Sequence, residues 1–557
     1  MTERIWLKSY PEGVPANIDT SVYGSLVELL DESYRKYAAR TAYSFMGQDI
    51  RYGQADTQSQ AFAAYLQSLG LAKGDRVALM MPNIPQYPIA VAGVLRAGMV
   101  VVNVNPLYTP RELEHQLKDS GAKAIVIIEN FAGTLEKCMA ATPVKHVVLC
   151  SMGDQLGLLK GAVVNYMVRK VKKMVPPFNL PNAVRFNQAI ARGSKATFTK
   201  PVCKPDDVAV LQYTGGTTGV SKGAVLLHRN VIANALQSEA WNAPVMARLP
   251  AHEQPTSVCA LPLYHIFAFT IGMVLSLRTG GKLVLIPNPR DIAGVLKELT
   301  KHTVHSFPAV NTLFNGLASH PDFNTVNWSQ LKVSLGGGTA VQSAVAKLWF
   351  EKTGCPICEG YGLSETSPSA TCNPVTSSEY TGTIGVPLPS TDLKLLDDDG
   401  NEVAAGEPGE IAIKGPQVMA GYWQRPDETA KVMTPDGYFK TGDIGVVDAR
   451  GYFKIVDRKK DMILVSGFNV FPNELEDVVG QMPGVMECAC VGVPDAKSGE
   501  AVKLVVVRKD PALTEADVRA YCKENLTGYK QPKVVEFRDE LPKTPVGKVL
   551  RRELRDK

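Results

Sequence analysis

The chain has 557 residues, too many for one hydrophobic core, and the expectation is about three or four domains or subdomains. Charged residues are 21% of the total, which excludes a disordered chain, and a formal net charge of +5 is too mild at this length to indicate a nucleic-acid binder. The start, Met1-Thr-Glu-Arg-Ile-Trp-Leu, lacks the apolar run of a signal peptide, and the most apolar stretch, residues 88–104, is broken by Arg96 and too short to span a membrane.

In chain order, helix and strand patterns alternate from Tyr23 to about Lys200. Residues 26–39, 56–69, 84–96 and 109–120 read as helices; residues 75–80, 99–104, 124–128 and 146–150 read as strands. Strands separated by helices predict a parallel α/β sheet. Residues 155–174 stand apart: Leu156, Leu159, Val163, Met167 and Val171 recur at helical spacing beside Lys160, Arg169, Lys170, Lys172 and Lys173. Such a helix suits the surface of an anionic membrane, with an ordinary surface helix docked on its domain as the plainer reading. Ten cysteines are scattered along the chain. Cys355-Pro-Ile-Cys358 has no second pair at zinc-ribbon spacing, so both read as buried strand residues in a reducing cytoplasm.

Tyr213-Thr-Gly-Gly-Thr-Thr-Gly-Val-Ser-Lys-Gly223 lies between two apolar runs, Val208–Leu211 and Ala224–Leu227, that read as strands. Gly215, Gly216 and Gly219 allow backbone N–H groups to turn inward on an anion; Thr214, Thr217 and Thr218 add hydroxyl donors, and Lys222 adds a point charge. Thr214 could also reach a metal bound to that anion. The run reads as a phosphate loop, with a flexible Gly/Ser/Thr hairpin as the plainer alternative. It is not a Walker A loop, because the lysine precedes glycine and the next element is a strand.

Beyond it, residues 260–267 end a strand with Tyr264, His265 and Phe267, residues 282–286 form a strand, and residues 292–302 and 312–319 form helices. Lys332-Val-Ser-Leu-Gly-Gly-Gly-Thr-Ala340 reads as strand, glycine loop and helix, with Gly336, Gly337 and Gly338 able to hold a ligand against bare backbone. In Pro356-Ile-Cys-Glu-Gly-Tyr-Gly-Leu-Ser-Glu-Thr366, Tyr361 lies between two glycines and can offer a ring face to a flat base, and Glu365 is a hard oxygen ligand suited to Mg²⁺. Turn signals at 397–400 and 406–409 predict antiparallel hairpins, and Asp443 could accept hydrogen bonds from a ribose. The charged link Asp457-Arg-Lys-Lys-Asp461 marks a boundary, followed by about 100 residues, a common single-domain size. In this last part Pro472 opens one helix, Thr514-Glu-Ala-Asp517 caps another, and Lys548 follows Gly547 in a loop from which it can reach outward.

These motifs, in this order and over nearly the whole chain, resemble the acyl-adenylate-forming superfamily of acyl-CoA synthetases, peptide-synthetase adenylation domains and luciferase. Within it, the run from Asp436 through Asp443 to Lys460, with Pro262-Leu-Tyr-His-Ile-Phe267 and Leu335-Gly-Gly-Gly-Thr-Ala340, is similar to the bacterial long-chain fatty acid–CoA ligases. The resemblance implies an α/β fold: a large N-terminal domain, residues 1–459, of parallel α/β subdomains plus an antiparallel β subdomain, and a small mobile α+β C-terminal domain, residues 460–557, turning on Lys460. It implies ATP, Mg²⁺ and coenzyme A, and ATP-dependent activation of a fatty acid to acyl-AMP before transfer to the thiol. The 213–223 loop would hold the β- and γ-phosphates, with Thr214 and Glu365 near Mg²⁺. Tyr361 would stack on adenine beside Glu359, Gly360, Gly338, Ser364 and Ile455, and Asp443 and Arg458 would hold the ribose. Lys548 would stabilise charge moving between carboxylate and α-phosphate, where losing one donor typically costs about 10²–10³ in rate. Gly336, Gly337, Gly338 and His265 would flank the acyl group, although His265 as a packing histidine is an equal reading. Competing expectations are a medium-chain or aryl acid–CoA ligase, a fatty acyl-AMP ligase loading a carrier protein, and a binding protein with a degenerate site. A homodimer and peripheral contact with the inner membrane are compatible with the resemblance; a nucleic-acid partner is not expected.

Overall fold

Local chemistry sets several helix starts. The Thr109 hydroxyl accepts the Glu112 N–H at 3.4 Å while Glu112 returns a carboxylate oxygen to the Thr109 N–H at 2.8 Å, with Pro110 at the first helical position of Pro110–Ser120. Thr514 and Asp517 form the same reciprocal cap on Glu515–Asn525. The computed structural model describes residues 4–555 apart from 215–220, 405, 467, 496, 545, 546 and 548, and apart from the side chains at 458 and 469.

Two large sheets form the body. The seven-stranded sheet runs Val184–Arg185, His146–Cys150, Ala124–Ile128, Arg76–Met80, Val100–Asn103, Val208–Thr214, Lys222–Leu227. Every neighbour in it is parallel except the last pair, an antiparallel hairpin with Thr214 opposite Lys222. The nine-stranded sheet has a parallel centre, Ile357–Gly362, Val333–Gly336, Ser306–Ala309, Thr256–Cys259, Lys282–Leu285 and Thr41–Phe45, with antiparallel edges. Their central strands are buried on both faces and accordingly read as unbroken apolar runs. Helix Tyr52–Ser68 packs on Gln86–Arg96 and Phe186–Gly193 between the layers, and Arg96 is buried there on Asp31 and Asp56.

A four-stranded antiparallel sheet, Asp392–Leu396, Gly409–Lys414, Phe439–Val447, Phe453–Arg458, follows in the chain. The last part builds a mixed five-stranded sheet around Val485–Asp495 and Gly499–Arg508, with its own apolar clusters under helices Pro472–Gly480 and Glu515–Asn525. The α/β fold with a large N-terminal part and a smaller C-terminal one is as expected.

Two elements depart from their expected form. The helix expected over 155–174 is Leu158–Tyr166 followed by a π-turn, Met167–Val171; Leu156 is buried ahead of it. The helix after the glycine loop begins at Ser343, not at Ala340, so 337–342 is an irregular connection with a bend at 338–339. All ten cysteines are unpaired, and Cys355 and Cys358 are buried. Among the described residues no helix is long and apolar enough to cross a membrane.

Candidate active site

Three strand ends converge. Thr214 closes Val208–Thr214, Gly336 closes Val333–Gly336, and Glu359, Gly360 and Tyr361 lie in Ile357–Gly362. Gln212 Nε2 donates to the Tyr264 carbonyl at 3.2 Å, tying the two large sheets together beside Thr214. The Thr214 hydroxyl donates to the Lys222 carbonyl at 3.4 Å, and Ser221 Oγ donates to the Thr214 carbonyl at 2.6 Å, which closes the base of the hairpin. Gly215, Gly216, Thr217, Thr218 and Gly219, at its tip, lie outside the described residues.

The glycines expected to face a ligand are places where a side chain cannot fit. A Cβ on Gly336 would stand 2.5 Å from Val341 Cγ2; one on Gly337 would stand 3.0 Å from the Phe267 ring and 3.4 Å from the Gly360 carbonyl. Gly338 has φ +79°, a conformation that favours glycine. His265 is half-buried at the same end, its Nδ1 accepting the Phe267 N–H at 3.3 Å.

Tyr361 donates its hydroxyl to Asp443 Oδ2 at 2.6 Å, so the residues expected to serve base and ribose are already in contact. Asp443 is buried and lies opposite Arg458 in the antiparallel ladder, with Ile455 opposite Gly445 two rungs away. Glu359 is buried; the Val341 N–H reaches its Oε1 at 3.3 Å. Burial pushes its carboxyl up to about 8, with the charge of Asp477 from the C-terminal part adding to the effect. Glu365, in the short turn Ser364–Thr366, is buried and accepts the Tyr422 hydroxyl on Oε1 at 2.8 Å. Lys222 is drawn aside: its Nζ is 2.5 Å from Glu428 Oε2 and 4.9 Å from the Tyr422 ring centroid.

Lys548 lies outside the described residues, but its neighbour Gly547 does not. A Cβ on Gly547 would meet Thr312 Oγ1 at 3.0 Å and Val310 Cγ2 at 3.5 Å, so Gly547 lies beside the start of helix Asn311–Ala318, after strand Ser306–Ala309. Lys460 sits in the turn after Phe453–Arg458, where the last strand of the antiparallel sheet ends. Tyr422, Glu428 and Thr312 were missed in the sequence; Glu428 is 206 positions from Lys222, and no local pattern marks such a pair.

Residues 30–423 match the AMP-binding enzyme family and residues 474–548 match the AMP-binding enzyme C-terminal domain. The chain belongs to the AMP-binding enzyme family. It is 55% identical over 555 residues to the long-chain-fatty-acid–CoA ligase of Escherichia coli O6:H1, covering 100% of this chain and 98% of the relative. Among solved structures it is similar to ATP-bound MatB from Rhodopseudomonas palustris, with TM-score 0.82, 29% identity and 95% and 98% of the two chains covered. It is also similar to the anthranilate CoA ligase AuaEII in complex with anthranoyl-AMP, with TM-score 0.84, 25% identity and 96% and 98% coverage.

Proposed function

We propose that this protein is a long-chain fatty acid–CoA ligase that works in two steps through an enzyme-bound acyl-AMP. The observation that carries the reading is full-length identity of 55% to a ligase of that name, joined to a site that keeps Glu365, Tyr361 and Asp443 in register. In the first step a fatty carboxylate oxygen attacks the α-phosphorus of ATP, the bond to the bridging oxygen breaks, and pyrophosphate leaves. In the second the CoA thiol, losing its proton, attacks the acyl carbonyl and AMP leaves.

The chain's own residues divide the work. The hairpin with Thr214 and Lys222 at its base receives the β- and γ-phosphates through Gly215, Gly216, Thr217, Thr218 and Gly219. Tyr361 offers its ring to adenine, flanked by Glu359, Gly360, Gly338, Ser364 and Ile455, while Asp443 and Arg458 take the ribose hydroxyls. Gly336 and Gly337, close-packed on Val341 and Phe267, would with Gly338 bring backbone beside the acyl carbonyl, with His265 near the mouth of the acyl site. Lys548 would act across carboxylate and α-phosphate, a role supported by how near its neighbour Gly547 comes to Thr312 and Val310. Residues 460–557 then turn about Lys460, withdraw Lys548 and admit CoA.

Mg²⁺ fits the donor types present: Glu365 is a buried hard oxygen ligand and Thr214 a hydroxyl. Shared with the substrate phosphates, such an ion would offset their charge when bound.

The basic helix supports peripheral contact with an anionic membrane. Leu158 and Leu159 are 93% and 87% exposed, and Val163, Tyr166, Val171 and Met174 also face outward. Exposed Lys170, Lys172 and Lys173 surround them. Arg169 does not share in this: it pairs with buried Glu129 at 2.8 Å, alongside Arg185 at 2.7 Å. A fatty acid dissolved in lipid, at about 0.8 kcal/mol per buried methylene, gives the enzyme reason to dock there. The placement is cytoplasmic, on the inner membrane face, with a homodimer compatible.

Product analysis by mass spectrometry tests the reading, with ATP, Mg²⁺ and saturated acids from short to long plus benzoate and coumarate, with and without CoA. Long-chain acyl-CoA formed only with CoA is the expected result. Acyl-AMP accumulating in the presence of CoA moves the protein to carrier loading, and preference for benzoate or coumarate moves it to the aryl ligases.

A further inference from the structure

Residues 420–423 pair with the edge strand Lys222–Leu227 around an isolated antiparallel bridge, Ala224 opposite Tyr422. Ala420 N–H donates to the Val225 carbonyl at 3.0 Å, Val225 N–H to the Gly421 carbonyl at 2.9 Å, and Trp423 N–H to the Gly223 carbonyl at 2.8 Å. The residue just before this stretch holds the Ser364–Thr366 turn, because Met419 N–H donates to the Glu365 carbonyl at 2.7 Å. Tyr422 is thereby set between Lys222 and Glu365, with the ammonium 4.9 Å from its ring centroid and its hydroxyl 2.8 Å from Glu365 Oε1.

Helix Pro426–Val432 completes the arrangement. The Tyr422 N–H donates to Thr429 Oγ1 at 2.9 Å, and Gly421, at φ +146°, lets the helix come close: a Cβ there would meet Thr429 Cγ2 at 2.8 Å. Glu428, in the first turn, takes Lys222 Nζ on Oε2 at 2.5 Å and Lys431 Nζ on Oε1 at 2.5 Å. The two ammonium groups hold its carboxyl down at about 2. Lys222 is thus fixed by an ion pair and an aromatic face, both from a segment some 200 positions further on in sequence.

We propose that Tyr422 and Glu428 are positioning residues of the nucleotide site: Glu428 anchors Lys222 as a post at the base of the phosphate hairpin, and Tyr422 orients the Glu365 carboxylate. Lys222 then acts by holding Thr214 and the hairpin in register, not as a ligand of the phosphates. The proposal rests on the reading that this hairpin and Glu365 serve ATP and its cation.

The test uses the full chain with Glu428→Gln, Glu428→Asp, Tyr422→Phe and the exchange Lys222→Glu with Glu428→Lys. Binding of a non-hydrolysable ATP analogue with Mg²⁺ is measured by titration calorimetry, ATP–pyrophosphate exchange gives KM and kcat, and the thermal midpoint reports folding. Glu428→Gln should weaken analogue binding and raise the ATP KM about tenfold with kcat within about threefold, and Glu428→Asp should recover most of the loss. Tyr422→Phe should raise the Mg²⁺ concentration for half-maximal exchange several-fold. Should Glu428→Gln lower the thermal midpoint too far to assay, the exchanged pair decides: binding restored to within about threefold of wild type upholds the post. Analogue binding by Glu428→Gln as tight as wild type or tighter, an exchanged pair that stays inactive, or an unchanged Mg²⁺ dependence in Tyr422→Phe overturns it. Wild-type protein that binds the analogue but shows no exchange with any acid instead refutes the ligase reading, and the binding series still decides the clamp.

Discussion

Replacing Glu359 by Gln should remove a pH dependence of stability that the wild type carries. Glu359 is buried beside strand Val333–Gly336 and its carboxyl is raised from 4.5 to about 8, first by burial and then by Asp477. Val341 N–H opposes the shift by donating to Oε1, and Tyr380, which donates its hydroxyl to the Val341 carbonyl at 2.6 Å, packs alongside. In the unfolded chain the same group ionises near its ordinary value. Between pH 4.5 and about 8 the folded protein therefore holds a proton that the unfolded chain has lost, and stability falls as pH rises through that window. At about 1.4 kcal/mol per unit, the gap between wild type and variant should close, or turn against the wild type, by about 3 kcal/mol from pH 5.5 to 7.5. Gln keeps an oxygen for the Val341 N–H and never ionises, so the comparison isolates this one proton. Urea unfolding of both proteins at pH 5.5, 6.5 and 7.5, followed by fluorescence, measures the gap. A gap constant over the range would mean that Glu359 is ionised throughout and that its surroundings are wetter than the packing shows.

His228 carries the opposite dependence. It is buried with Nδ1 accepting the Leu26 N–H at 3.1 Å, and burial lowers it from 6.5 to about 4, so wild-type stability should fall by about 3 kcal/mol as pH drops from 6.5 to 4. His228→Asn should flatten that fall in acid unfolding curves, and an unaltered curve counts against a neutral buried imidazole. Gly362→Ala would place a Cβ 1.8 Å from the Pro368 carbonyl oxygen, and should cost about 3 kcal/mol or more or prevent folding, read from expression and thermal melts. A variant as stable as wild type would refute that close approach. Lys548→Ala should slow acyl-AMP formation by about 10²–10³ and leave thioester formation from supplied acyl-AMP nearly unchanged; equal loss of both half-reactions sinks its assigned role. Replacing Lys170, Lys172 and Lys173 together by Gln should reduce flotation with anionic vesicles, whereas Arg169→Gln should act on stability through Glu129. Undiminished flotation of the triple variant argues against the membrane face.

Much of this protein was legible in its sequence because much of it is set by near neighbours. The Thr109–Glu112 and Thr514–Asp517 caps each join residues three apart, and the apolar strands Val208–Thr214 and Val333–Gly336 announce burial by composition. The glycines at 336–338 and the run from Glu359 to Glu365 are short local patterns, and the order of such patterns along the chain suffices to recognise the family. What the tertiary structure decided are the partners. Lys222 and Arg169 look alike in sequence, as cations in segments read as facing anions. The fold gives Lys222 to Glu428, and gives Arg169 to Glu129 forty positions earlier. Tyr361 reads as a bare ring until Asp443, 82 positions on, receives its hydroxyl. Glu359 reads as an ordinary carboxylate until packing strips its water. Charge pairing and desolvation depend on which distant segments meet, and over such separations the spacing of residues along the chain carries no record of that meeting.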